Sequence, residues 1–153
     1  MKFTMTSRVD CRAELLWRNL ADPAVFERVT KPLMVFRSAD DGGFPARWQQ
    51  GMTYRMHMFL LGFIPLGWHQ ITFHTIDEAE KRVSTREKGR MIREWNHTMR
   101  VAADANGGTI FSDELVIRSG MLTLPIFAGA YLFFVFRHWR LKRLFREKHR
   151  IGE

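Results

Sequence analysis

Apolar and polar residues alternate along most of the first 118 residues, and the alternation stops where a long apolar stretch begins. Alternation marks a strand with one buried face, because successive side chains point to opposite sides. It predicts a strand over Phe3 to Val9, then others in "LMVFRSA", "MTYRMHMFLL", "WHQITFHTID", "RVSTRE", "IREWNHTMRV" and "TIFSDELVIRSG". Gly-bearing segments such as "DDGG", "KGR" and "ANGG" fall between them, as the turns of a meander require. After the first strand, Asp10 stands as an N-cap before "CRAELLWRNL", and "ADPAVFERV" carries Pro23 just inside a second short helix. From Met121 to about Lys148 no strong breaker follows Pro125, so the chain ends in one long helix. Strands and helices segregated in this way imply an α+β fold, a single domain over 1–153 whose last helix covers an antiparallel sheet.

The same pattern assigns faces. Met52, Tyr54, Met56 and Met58 share one side of their strand, His69, Ile71 and Phe73 one side of the next, and Trp95, His97, Met99 and Val101 one side of a third. Asp113 falls with Phe111 and Leu115 on the apolar side of the last strand. On the terminal helix Ile126, Ala130, Phe133, Phe134, Leu141 and Leu144 form a stripe suited to gripping the sheet. Leu132, Val135, Phe136 and Trp139 lie on the opposite side, where a lone monomer would leave them wet. The segment "LLGFIPLG", residues 60–67, reads as a hairpin loop built almost wholly of apolar groups, although loops are normally polar. Both features ask for cover from a second chain or from lipid.

Composition narrows this further. The interior must place 13 Phe, 5 Trp and 9 Met, more bulk than a small core usually needs. One cysteine, Cys11, excludes an internal disulfide and fits a reducing compartment. The start of the chain lacks the apolar run of a signal peptide, so residence is expected in the cytoplasm, with the inner membrane surface as a possible resting place. Much of the net charge of +8 sits in "RHWRLKRLFREKHR" at the end, which fits an anionic surface better than nucleic acid, since no nucleic-acid-binding motif accompanies it.

In its element order, and in "WQQGMTYRMHMFLLGFIPLGWHQI", "STREKGRMIREWNHTMRV", "FSDELVIRSG" and "FRHWRLKRL", the sequence resembles the START-like superfamily, also called SRPBCC, and within it a bacterial branch. That superfamily includes polyketide cyclases, plant pathogenesis-related allergens and lipid-transfer domains. The resemblance covers nearly the whole chain and implies a helix-grip fold, a curved antiparallel sheet around the C-terminal helix with a cavity between them. Such a cavity is filled either by large side chains or by a ligand.

The wall of that cavity is expected to comprise Tyr54, Met56, Met58, His69, Ile71, Phe73, Trp95, His97, Met99, Phe111, Asp113 and Phe134. Its occupant is a hydrophobic small molecule, lipid-like or polyketide-like. His97, His69, Tyr54 and Asp113 are the candidates for acid–base chemistry of a cyclase or dehydratase type, because a histidine oriented by a carboxylate works near neutral pH. The alternative is that these groups bond to one another and fix strand register, which leaves a catalytic role open. Arg86, Glu87, Arg93 and Glu94 are read as cross-strand ion pairs. The histidines at 57, 69, 74, 97, 138 and 149 show no paired metal-ligand spacing, and no cofactor motif is present, so neither metal nor cofactor is expected. Homodimerisation through Leu132, Val135, Phe136 and Trp139 is the favoured use of the outer stripe, with an anionic membrane second.

Overall fold

The computed structural model describes residues 1–150, with side chains through residue 147, so the side chain of His149 lies outside the described part. Strand β1 (Lys2–Val9) leads into two short helices, α1 (Ala13–Leu20) and α2 (Pro23–Thr30). Strands β2 (Met34–Ser38), β3 (Thr53–Leu60), β4 (Ile64–Asp77), β5 (Arg82–Gly89), β6 (Glu94–Ala103) and β7 (Thr109–Arg118) follow, and a 3-10 turn at Gly120–Leu122 opens α3 (Thr123–Arg150). The seven strands form one antiparallel sheet in the order β1-β7-β6-β5-β4-β3-β2. This is the helix-grip architecture, an open curved sheet with a long C-terminal helix. The register slips between Met58 and Phe59 and between Phe73 and Thr75, and bulges of this kind bend a strand.

Local chemistry explains most boundaries. Asp22 caps α2 by accepting the Ala24 N–H at 2.8 Å, and Pro23 sits in the first turn. The expected Asp10 cap is not used. Helix α1 starts at Ala13 with Arg12 in the cap position and no side-chain cap bond, while Asp10 takes the Arg8 guanidinium at 2.6 Å. The apolar stretch 60–67 is not a loop either. Only Leu61 to Phe63 turn, with Leu61 and Gly62 at positive φ, and Ile64 and Pro65 pair back onto Leu60 and Phe59. Its apolar residues therefore stand on a strand extension, with Leu61 and Phe63 at an exposed tip.

Helix α3 does not lie evenly over the sheet. Among the described residues its backbone approaches β1, β7 and α2 closely, and none of β2–β6. Phe134 and Ala130 pack with Leu115 and Ile117, and Leu141 and Phe145 join the main core. Between the helix and the middle strands the backbones stand apart. Side chains must fill that space, and they do not fill it completely.

Candidate functional site

The space left under α3 is a cavity of about 590 Å³, a volume ordinary for a small-molecule site. Most of its wall is apolar: Phe26 and Trp48 from the helix and loop side, Phe36, Met58, Ile71, Phe73 and Met99 from the sheet, and Ile126, Phe133 and Phe134 from α3. The polar exceptions are His69, Thr85, Glu87, His97 and Arg137, with the indole of Trp95.

Strand alternation brings these groups together. Val83, Thr85 and Glu87 share the inner face of β5, and Trp95, His97 and Met99 the inner face of β6. Thr85 pairs with His97 in register and Glu87 with Trp95. Opposite His69 stands Gly89, where a Cβ would come within 3.1 Å of the imidazole Nδ1. The missing side chain lets that ring sit over β5, with its Nε2 2.7 Å from Glu87 Oε2. Glu87 Oε1 accepts the Thr85 hydroxyl at 2.7 Å.

A second carboxylate lies behind the wall. Asp113 is fully buried, with Oδ1 2.6 Å from His97 Nε2 and Oδ2 2.7 Å from His138 Nε2. The Arg137 guanidinium stands 3.3 Å from it and also reaches Met99 Sδ at 3.1 Å. Ser7 Oγ closes the outer side, 2.8 Å from His138 Nδ1. Burial alone would raise the Asp113 pKa, but the charges of Arg137 and His97, with hydrogen bonds from His138 and His97, hold it well below the usual carboxylate range. Glu87 follows the same logic. Burial pushes it up, and the hydrogen bond and charge of His69, aided by His97 and Thr85, bring it below its ordinary value.

Both acids are therefore carboxylates that can only accept, which fixes the imidazole tautomers. Nε2–H of His69 points at Glu87 and Nε2–H of His97 at Asp113; Nδ1 accepts when the imidazole is neutral and donates when it is protonated. Nδ1 of His97 lies 3.9 Å from Glu87 Oε1, too far for a hydrogen bond. Among the described residues, three buried polar atoms on cavity-lining residues have no hydrogen-bond partner: His69 Nδ1, Trp95 Nε1 and Arg137 Nε. Buried orphans are uncommon in folded proteins and call for a specific reason.

Of the residues expected on the wall, Met58, His69, Ile71, Phe73, Trp95, His97, Met99 and Phe134 line the cavity. Tyr54, Met56, Phe111 and Asp113 fall outside that lining. Tyr54 packs edge-on to Trp48 and Phe73, and its hydroxyl accepts the Gln49 N–H at 3.1 Å, so it stands apart from the polar cluster. Met56 and Phe111 are closed into the core, and Asp113 acts through His97. The ion-pair reading of Glu87 is corrected: its side chain turns inward to His69, while Glu94 reaches Arg118 at 3.9 Å. Arg137 and His138 were missed, although they follow Phe134 by three and four residues and precede Leu141 by four and three, inside the gripping stripe. Among the described residues, no group of three His, Cys, Asp or Glu side chains is placed to hold a metal ion.

A family model described as Domain of unknown function (DUF8410) matches residues 7–145. No curated protein matches the sequence. Among solved structures, a protein from Chromobacterium violaceum is 14% identical, with 95% of this chain and 97% of that one covered, at a TM-score of 0.73. A major latex-like protein from Panax ginseng is 10% identical over 95% of this chain and 97% of its own, at 0.68. An aromatase/cyclase from a Streptomyces species is 14% identical over 97% and 94%, also at 0.68. Identities this low carry the fold, which is of the START-like, SRPBCC type.

Proposed function

We propose that this chain, which belongs to the DUF8410 family, holds a hydrophobic small molecule between α3 and the sheet. The ligand's apolar body lies along the Phe, Met and Ile wall, and its oxygen-bearing end meets His69, Trp95, His97 and Arg137. The observation that carries this reading is the 590 Å³ cavity, apolar except for His69, Thr85, Glu87, His97 and Arg137 in its lining. Binding in a preformed apolar space needs little ordering of the protein, so more of the gain from removing apolar area from water survives as affinity.

Gly129 supplies the test. It lines the cavity, and a Cβ placed there would meet nothing within 4 Å. A Gly129→Trp side chain therefore has room to leave the helix and is placed to take up ligand space. Native mass spectrometry of the purified protein is expected to show a retained apolar molecule, or uptake of 1-dodecanol, and the variant to bind at least about tenfold more weakly. A wild-type protein that stays empty and ignores 1-dodecanol would overturn the reading.

A second reading concerns the mouth. Met91, Leu122 and Leu132 line the cavity and are also exposed, and Met121, Leu124 and the tip residues Leu61 and Phe63 extend the exposed apolar rim. The stretch 120–147 is long and apolar enough to cross a membrane, and only 17% of its most apolar window is buried. Basic residues follow the outer stripe, with Arg143 stacked 5.6 Å over the Trp139 ring. An apolar rim at a ligand entrance, continued along α3 by an apolar stripe that ends in cations, suits an anionic lipid surface better than a second copy of this equally basic chain.

A further inference from the structure

We propose that the outer face of strands β2–β5, on the side of the sheet away from the cavity, is a binding surface for single-stranded nucleic acid. Trp68 is its stacking platform, and Arg37, Arg55, Arg86 and Lys88 are its contacts to phosphate. The proposal stands on observations independent of the cavity.

Strand register sets these groups out as a lattice. Side chains alternate, so the residues between the buried ones on each strand share the outer face. Arg37, His57 and Trp68 stand opposite one another across β2, β3 and β4. Two residues further along, Arg55, Gln70 and Lys88 line up across β3, β4 and β5, and after two more Thr53, Thr72 and Arg86 do the same. With about 6.7 Å between such rows and about 4.8 Å between strands, the four cations and the indole occupy a patch roughly 15 Å across. All four cations and His57 are exposed, and Trp68 is 46% open to solvent among them.

Charge separates this half of the sheet from the other. On the outer face of β1, β6 and β7, Lys2 meets Glu114 at 3.2 Å, Arg8 meets Asp104 at 2.8 Å and Arg118 meets Glu94 at 3.9 Å. Among the described residues Arg100 is the one outer cation there that lacks a carboxylate. On the patch the balance is reversed. Arg37, Arg86 and Lys88 have no carboxylate within ion-pair distance among the described residues, and Arg55 alone has one, Asp40 at 3.0 Å. Arg37 lies instead over the Phe59 ring, 4.5 Å from its centroid. Glu94, on the strand beyond Lys88, is turned to Asn96 and Arg118.

A positive field without local counter-charges matches a polyanion. The indole in its midst narrows the choice to one with flat faces to stack, and a single strand offers both where a duplex hides its base faces. A bilayer fits less well. The apolar rim that would enter it lines the cavity on the opposite face of the sheet, and the two rows beyond Trp68 carry no apolar side chain.

Fluorescence anisotropy of the whole chain with a labelled oligouridylate of about 16 nucleotides tests this. Binding is expected at low salt, and log Kd should rise with log salt concentration at a slope of about 2–3, from three or four phosphates neutralised. Trp68→Ala should weaken binding at least about fivefold, the loss of one stacked base. Arg86→Glu combined with Lys88→Glu should weaken it at least about tenfold and lower the slope by about 1.4. Both variants are expected to keep the wild-type circular dichroism, urea midpoint and 1-dodecanol uptake, because the altered side chains are exposed and do not line the cavity. The same oligouridylate annealed to oligoadenylate should bind more weakly than the single strand. No binding by wild type at low salt overturns the proposal, and so does equal affinity for the duplex or for polyglutamate. Binding lost in Lys142→Glu with Arg143→Glu but kept in the strand variants would move the contact to α3 and overturn it as well. Phosphatidylglycerol vesicles held through Arg86 and Lys88 more tightly than the oligonucleotide would give the face to lipid instead.

Discussion

Replacing Asp113 with asparagine keeps the outline of the side chain and removes its charge. The amide offers one acceptor oxygen where two imidazole N–H groups now donate, at 2.6 and 2.7 Å, and its NH2 must face one of them. Arg137 is left as a buried cation without its counterion. Breaking one partner of a buried charge pair costs about 3–5 kcal/mol, so Asp113→Asn is expected to lower the urea midpoint strongly, and a change below about 1 kcal/mol would contradict the pairing seen here. At this scale the sequence was readable in part. Alternation put His97, His69 and Asp113 inside. In the sequence Glu87 reads as one of a set of cross-strand ion pairs with arginine, but it stands on the inner face with Val83 and Thr85, where His69 supplies the partner that makes burial tolerable. Tyr54 shares an apolar face and yet misses the cavity, because face says inside and not which part of the inside.

Helix α3 and the β3–β4 hairpin carry apolar groups that the fold itself does not cover. Leu132, Val135 and Trp139 remain exposed on the helix and Phe63 on the hairpin, while Phe136 sits half-buried against Trp139. Periodicity read that outer stripe correctly, because a helix with a second apolar face shows it directly in the sequence. It misread the hairpin, since turn length depends on Leu61 and Gly62 accepting positive φ, which for leucine has no sequence signal. Lipid docking makes a specific demand of these two elements together. The protein is expected to float with vesicles containing phosphatidylglycerol and less with purely zwitterionic ones. Combining Phe63→Ser with Leu132→Ser should lower the bound fraction several-fold, each apolar side chain contributing about 1.5–3 kcal/mol when buried. Sedimentation that finds a dimer, split by Leu132→Asp and indifferent to vesicles, would return the stripe to a second copy of the chain.

At the scale of the molecule, the order of strands and helices was enough to place the fold, but the seat of α3 was not. It rests on β1, β7 and α2 and stands away from the middle strands, and that offset, set by tertiary packing rather than by any local pattern, opens the cavity. The same offset brings Arg137 and His138 over Asp113, while Glu87 and His69 stand further across the same sheet, so the buried polar network spans helix and sheet. Its response to acid follows from sign. Asp113 and Glu87 are both below their ordinary values when folded, so near pH 4 the unfolded chain binds more protons than the folded one. Stability then rises with pH through that range. Their contribution is complete above the unfolded-state values of about 3.9 and 4.3, and it is lost as the pH falls through the lower folded-state values. The urea midpoint of wild type is therefore expected to fall steeply below about pH 4. In Asp113→Asn that slope should be shallower, because one of the two titrations is gone. Added salt should change the slope little, since buried pairs are poorly screened. Parallel acid slopes in wild type and variant would mean that the surface charges of this basic chain, and not the seam under α3, govern its acid unfolding.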